Sequence, residues 1–220
     1  MSFYAKYVKR FLDIFFSLFA LLVLGIPMLI VALLIRLTMG GPVIFRQLRN
    51  GKDGREFYLL KFRSMTDARD ENGVYLPDPE RITKLGHLIR VTSIDELPSL
   101  INIIKGDMSI IGPRPLPTRY LPRYTPEQLR RLEVRPGLSD PSVVVGRNLQ
   151  SWEDQFAGDV WYVDHVSFWV DAKSVLETMW IVITRKGATA DDGDSRTEFI
   201  GTADINSLET DAEGNYMKLR

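Results

Sequence analysis

The sequence predicts an α+β protein: a membrane-inserted apolar helix, then a mostly helical domain with one small β-hairpin and amphipathic helices near its end. Three observations carry this expectation. From Ile14 to Ile35, 22 residues are apolar except for Ser17, Gly25 and Pro27. Two short alternating segments flank an Asn50-Gly51 turn signal. Beyond them, apolar residues recur at helical spacing between start and stop signals.

Composition narrows the chemistry. The chain has 220 residues, 45% hydrophobic and 25% charged, as a folded protein does. Its 28 basic and 28 acidic residues cancel, which argues against nucleic acid as a partner. With no cysteine and only His87 and His165, disulfides, thiolate metal sites, cysteine nucleophiles and histidine-rich metal sites are excluded. The charge is unevenly spread. Met1 to Met65 holds ten basic residues against three acidic ones, a net of +7, while the stretch from Gly187 onward has eight acids against three bases, a net of −5. Three parts follow: a membrane segment over 1–40, a folded domain over 41–187, and a flexible acidic tail over 188–220.

The apolar run is long enough to cross a bilayer, about 33 Å as a straight helix. No small-x-small cleavage site follows it, so it is not read as a signal peptide. Pro27 removes a hydrogen bond to the Val23 carbonyl, and Gly25 lowers the resistance to bending. Both flanks are basic, with Lys6, Lys9 and Arg10 before and Arg36, Arg46 and Arg49 after. A helix that bends at Gly25-Ile26-Pro27 and returns to one face keeps both flanks cytoplasmic; a kinked transmembrane helix is the equal alternative.

In the soluble part, Val43–Arg49 and Arg55–Ser64 read as hairpin strands. Phe57, Leu59, Lys61 and Arg63 share one face of the second strand. Asp78-Pro79 starts a helix whose stripe is Ile82, Leu85 and Ile89, closed by Arg90. Ser93-Ile94-Asp95-Glu96 reads as a capping box opening a helix that ends at Gly106. Ile111–Pro115 is a rigid loop carrying Arg114. Helical patterns return at 152–163 and 168–185, where all four tryptophans lie, suiting either a core or a membrane interface.

The chemistry-bearing candidate is Asp95-Glu96 among Lys61, Arg63, Arg90, Arg114, Arg135 and Arg147. Adjacent carboxylates suit a hard cation such as Mg²⁺, and guanidinium and ammonium groups suit phosphate oxygens. That is a phosphoryl-transfer set, in which a carboxylate can also be the nucleophile. Spacing alone equally allows two helix-capping acids among solvated arginines.

The ordered motifs Lys61-Phe62-Arg63-Ser64-Met65, Leu88-Ile89-Arg90, Ser93-Ile94-Asp95-Glu96-Leu97-Pro98, Lys105-Gly106-Asp107-Met108-Ser109, Ile111-Gly112-Pro113-Arg114-Pro115, Val134-Arg135-Pro136-Gly137 and Gly146-Arg147-Asn148 run through most of the chain. Together they resemble the bacterial sugar transferases, specifically the small monotopic polyprenol-phosphate phosphoglycosyl transferases. The resemblance implies transfer of a sugar 1-phosphate from a UDP-sugar to undecaprenyl phosphate, giving a polyprenyl diphosphosugar and UMP, in exopolysaccharide or glycoconjugate synthesis. It implies that Asp95 is the nucleophile, that Glu96 beside it serves the Mg²⁺ site, and that Lys61, Arg90, Arg114, Arg135 and Arg147 serve the phosphates. It also implies a re-entrant membrane helix at the cytoplasmic face of the bacterial inner membrane, in contact with membrane lipid, and a minimal catalytic unit; a homodimer is compatible with it. Two departures stand out. The family's Ser-Pro at the membrane bend is Ile26-Pro27 here, and its glycine- and glutamine-containing stretch after Pro-Gly reads Leu138-Ser139-Asp140-Pro141-Ser142-Val143. A membrane-anchored scaffold of the same fold without catalysis is the competing reading, and the intact Asp95-Glu96 pair favours the enzyme.

Overall fold

A computed structural model of the chain describes residues 3–141, 151–184, 198–201, 208–210 and 216–218. A π-helical turn at Tyr4–Val8 leads directly into helix α1, Lys9–Met39. Helix α1 runs on through Gly25, Ile26 and Pro27 without a break. Pro27 withdraws one donor, and the adjoining turns hold the helix together across it.

Only a narrow stripe of α1 is covered. Asp13, Ser17 and Ile35 are buried, and Ala20, Leu21, Met28, Val31, Ala32 and Met39 pack on the soluble domain. The spacing is helical, so one face rests on protein toward both ends, while no residue from Leu22 to Pro27 joins a core cluster. The other face presents Phe15, Phe19, Leu22, Ile26, Leu29 and Leu33 outward. Polar pins fix the first turns. Arg10 donates to the carbonyls of Ile103 (2.6 Å) and Ile104 (2.9 Å), and the Asp13 carboxylate accepts from the Ser109 hydroxyl and the Ile110 amide.

The expected hairpin is present. Strands β1 (Ile44–Asn50) and β2 (Glu56–Phe62) pair antiparallel with Gln47 opposite Leu59, joined by a turn at Lys52–Gly54. Phe57 and Leu59 enter one core cluster with Leu100, Ile103 and Met108. Phe62, on the opposite face, joins Ile35 and Ile89 in another. The strand's alternation ends there. Arg63 is buried and donates to the Gly41 and Met65 carbonyls and to Asp67, so it does not share a site with Lys61.

Two helical expectations need correction. The single helix expected from Asp78 to Arg90 is two: α2 (Asp78–Arg81) and α3 (Lys84–Val91). Ile82 is extended between them, and the Thr83 hydroxyl caps α3 by accepting from the Gly86 amide. The capping box at Ser93–Glu96 does not form. Ser93 adopts a left-handed conformation (φ 55°) with no side-chain cap, Ile94–Glu96 is a 3₁₀ turn, and α4 (Ser99–Lys105) begins after Pro98. Glu96 finds a stronger partner than the Ser93 amide, described below. Gly106 ends α4 in a left-handed conformation, as expected.

A second, parallel strand pair was not anticipated: β3 (Ser109–Ile111) with β4 (Gly137–Ser139). A Cβ on Gly137 would lie 2.1 Å from the Gly112 amide nitrogen, so only glycine permits this approach. Helix α5 (Pro126–Leu129) carries a true capping box between Thr125 and Gln128.

Helices α6 (Trp152–His165) and α7 (Phe168–Thr184) match the expected pair, yet they differ in kind. Helix α6 buries Gln155, Phe156, Asp159 and Tyr162, and Trp152 packs in an aromatic cluster with Tyr120, Tyr124, Phe156 and Phe199; it is a core helix rather than an interfacial one. Helix α7 leaves Trp169 and Trp180 exposed, with Phe168, Leu176 and Met179. The tail is also not free along its whole length. Phe199 is buried in the aromatic cluster, and Glu198 accepts from Arg119 and Arg123. An aromatic ring in an acidic segment gains more by burial than by solvation. Strands β5 (Leu208–Thr210) and β6 (Tyr216–Lys218) pair antiparallel beyond it.

Candidate active site

The site is assembled where α4 is sewn to the free edge of β2. Asn102 donates to the Tyr58 carbonyl (2.9 Å) and accepts from the Leu60 amide (3.0 Å), and the Ser99 hydroxyl donates to the Leu60 carbonyl (2.7 Å). Two buried side chains thus replace a neighbouring strand, satisfying backbone groups that would otherwise be orphaned. This lock sets Lys61 on β2 facing the 3₁₀ turn that precedes α4. Lys61 Nζ meets Glu96 Oε1 at 2.7 Å.

The two neighbouring carboxylates have opposite electrostatics. Asp95 is 9% exposed. Burial pushes its carboxyl up to about 6, Lys61 opposes this, the adjacent Glu96 charge adds to it, and Arg90 opposes it. Burial also raises Glu96, but Lys61 and then Arg114 outweigh it and hold Glu96 below the ordinary value. A pair split in this way gives one firmly anionic group and one whose charge is costly and therefore reactive.

The surrounding cations are held from behind. Arg90 Nε donates to the Ser64 hydroxyl at 3.1 Å. Arg114 is exposed on its loop, and that loop is anchored by Arg131, whose guanidinium donates to the Arg114 carbonyl (2.8 Å) while pairing with buried Asp159 (2.8 Å). Lys61, Glu96, Ser99, Met108, Arg114 and Leu138 line a small cleft of about 30 Å³ that opens to solvent. Asp95 precedes Glu96 in the same 3₁₀ turn and is buried, and it is not itself one of the lining residues.

Of the residues singled out from sequence, the structure gathers Asp95, Glu96, Lys61, Arg90 and Arg114. It turns Arg135 elsewhere: Nε donates to the Gly106 carbonyl, and the side chain lines a second cavity with Arg10. Arg147 lies outside the described residues. Sequence reasoning missed Ser64, Ser99 and Asn102, which orient the site, and Arg49, which lines the cleft. Ser99 and Asn102 had a faint signal as polar positions within an apolar helix. Among the described residues, no group of three or more His, Asp or Glu is placed to hold a metal ion.

The family profile described as bacterial sugar transferase matches residues 4–185, which spans every element of this site. The chain belongs to the bacterial sugar transferase family. Among similar sugar transferases, the uncharacterized sugar transferase EpsL of Bacillus subtilis is 45% identical over 200 residues, covering 91% of this chain and 99% of EpsL. The UDP-glucose:undecaprenyl-phosphate glucose-1-phosphate transferase of Caulobacter vibrioides is 35% identical over 190 residues, covering 82% of this chain and 71% of that protein. The UDP-N-acetylgalactosamine-undecaprenyl-phosphate N-acetylgalactosaminephosphotransferase of Aeromonas hydrophila is 36% identical over 190 residues, 83% of this chain but 45% of that protein. This sugar transferase chain therefore spans less than half the length of some relatives and nearly all of others.

Proposed function

We propose that the protein is a phosphoglycosyl transferase that moves a sugar 1-phosphate from a UDP-sugar to undecaprenyl phosphate at a membrane surface, in an early step of polysaccharide or glycoconjugate synthesis. The observation that carries it is the split carboxylate pair: a desolvated Asp95 beside an anionic Glu96, ringed by Lys61, Arg90 and Arg114. The names of the relatives supply the substrate classes.

In this reading an Asp95 carboxylate oxygen attacks the phosphorus that bears the sugar. A bond from that oxygen to phosphorus forms, the bond to the bridging oxygen breaks, and UMP leaves with the electron pair. The phosphate oxygen of the prenol then attacks the same phosphorus and releases Asp95 as carboxylate. Burial makes Asp95 a better nucleophile by stripping its water, yet a value of about 6 leaves it mostly ionised at neutral pH. Lys61 and Arg114 face the cleft where negative charge accumulates on phosphoryl oxygens. Asp95 and Glu96 are also a fitting donor set for Mg²⁺, which takes one or two protein carboxylates together with substrate phosphates and water. When bound, Mg²⁺ would neutralise diphosphate charge.

Membrane placement follows the same geometry. Both the first turns of α1 and its last turns pack on one soluble domain, through Arg10 and Asp13 at one end and Ile35 and Met39 at the other. A helix perpendicular to a bilayer, with the domain outside, would leave its middle and far end without protein contact. Contact of both ends with one domain supports a monotopic placement at the cytoplasmic face, with α7's exposed tryptophans at the interface; a re-entrant course would require α1 to bend in the membrane at Gly25-Ile26-Pro27.

The test is incubation of the full chain in membranes with undecaprenyl phosphate and a panel of UDP-sugars. One sugar should release UMP and label the lipid, and without acceptor it should add one sugar-phosphate mass to the peptide containing Asp95. Lipid labelling without any protein adduct would mean direct attack by the prenol phosphate, and no product with any sugar would remove the assignment.

A further inference from the structure

The second cavity is not part of the cleft lined by Lys61 and Glu96. It lies across the β3–β4 wall, since Met108 and Leu138 face the cleft while Ser109 and Arg135 face this one. It is open to solvent, has a volume of about 230 Å³, and is lined by Lys6, Lys9, Arg10, Lys52 and Arg135 against a single acid, Asp13. Asp13 is occupied by the Ser109 hydroxyl and the Ile110 amide, and Lys9 is matched by Asp171 outside the lining. Four cations therefore face one acid.

Two of those cations are rigidly set. Arg10 and Arg135 are tied to carbonyls at the same end of α4, those of Ile103, Ile104 and Gly106. The C-terminal end of a helix attracts cations, so this arrangement holds two guanidinium groups in one small space. Lys6 and Lys52 add ammonium groups on long side chains from the N-terminal turn and the hairpin turn. Forked guanidinium donors flanked by ammonium groups match the oxygens of a phosphate. The mouth lies at the foot of the apolar helix, where Phe11 and Phe15 are exposed on the turns that follow Arg10. Hence an anion carried on an apolar tail meets both surfaces at once.

We propose that this cavity is a phosphate-binding site distinct from the cleft lined by Lys61 and Glu96, and that it takes the headgroup phosphate of an anionic membrane lipid. A free phosphate shares the same chemistry. The inference does not rest on the transferase reading, because it is tested by binding alone.

The experiment is native mass spectrometry of the full chain released from detergent containing equal phosphatidylglycerol and phosphatidylcholine. Phosphatidylglycerol should be retained preferentially. Lys6→Gln/Lys52→Gln should weaken that retention by about thirtyfold, and each single substitution by about fivefold, taking the usual contribution of one lysine near an anionic surface. Among the described residues neither ammonium group hydrogen-bonds to the fold, and that of Lys6 lies only over the Tyr7 ring, 5.2 Å from its centroid, while Lys84→Gln/Lys173→Gln removes the same charge away from both cavities. Adding inorganic phosphate separates the sources. If phosphate displaces the lipid and raises the melting temperature by itself, the site takes free phosphate; if it does neither, the lipid headgroup is the ligand. Equal retention of both lipids with no effect of phosphate overturns the proposal. So does a loss in Lys6→Gln/Lys52→Gln no larger than in the charge-matched control.

Discussion

Replacing Asp95 by asparagine should leave the protein inactive and more stable. The folded protein holds this carboxyl at about 6 against an ordinary 3.8, and burial is the main cause. The ionised group is therefore disfavoured in the folded state. A shift of roughly 2 units corresponds to a cost on the order of 3 kcal/mol at pH 7.5. Screening reduces this little, because Asp95 is 9% exposed. The sign follows from the order of the two values. The cost is carried in full above about pH 6, shrinks as the pH falls toward 3.8, and vanishes below it. Asparagine keeps the shape and removes the charge, so Asp95→Asn should melt roughly 6–12 °C higher at pH 7.5. The gain should fade as the pH is lowered to 4. The assay is a pair of melting series in detergent from pH 4.5 to 8, with UMP release and intact-mass analysis on the same samples. A melting temperature equal to or below the parent's at every pH, with deamidation ruled out by mass, would refute the claim that Asp95 is a desolvated, strained carboxylate. This is the trade expected of a catalytic group, in which reactivity is held at the expense of stability.

Other perturbations address the remaining parts of the site. Chelation should abolish turnover and Mg²⁺ restore it. Glu96→Gln should lower kcat about a hundredfold, while the unfolding free energy changes by less than about 1 kcal/mol, because its pair with Lys61 is partly exposed; full activity would leave Glu96 only a structural role. Cysteines placed singly at Phe3 and Val74, both exposed, should be shielded from an impermeant maleimide in intact cells, and labelling at Phe3 alone would mean that the helix crosses. Arg131→Met strips the partner from fully buried Asp159 and should cost about 3–5 kcal/mol in denaturant unfolding, most of it recovered in Arg131→Met/Asp159→Leu.

Local patterns were legible where one short-range rule decides the outcome. The Asn50-Gly51 turn with its alternating flanks produced the hairpin in the expected place, because turn geometry and strand period are properties of adjacent residues. Gly106 ended α4 for the same reason. The long apolar run formed one helix because each residue in it favours burial away from water. The rules failed where two local preferences competed and a distant residue settled the matter. Ser93–Glu96 has the spacing of a capping box, yet Lys61, 35 residues earlier, offers Glu96 a full charge at 2.7 Å instead of one amide. The β3–β4 pair was invisible because each strand is three residues long and exists only through the Gly112–Gly137 contact.

The sequence by itself therefore determined the long apolar helix, the hairpin, the helical content and the motifs that place the chain in its family. Each of these depends on residues near one another in the chain, or on an ordered pattern of types. Only the tertiary structure decided which charges act together. It joined Lys61, Arg90 and Arg114 to the Asp95-Glu96 turn, gave Arg63 a structural task, and sent Arg135 to the other side of the β3–β4 wall beside Arg10. Arginines at similar spacing look alike in a sequence. What separates them is desolvation and the partner each side chain meets, and both are set by how α4 docks on the edge of β2 and how α1 lies across the domain.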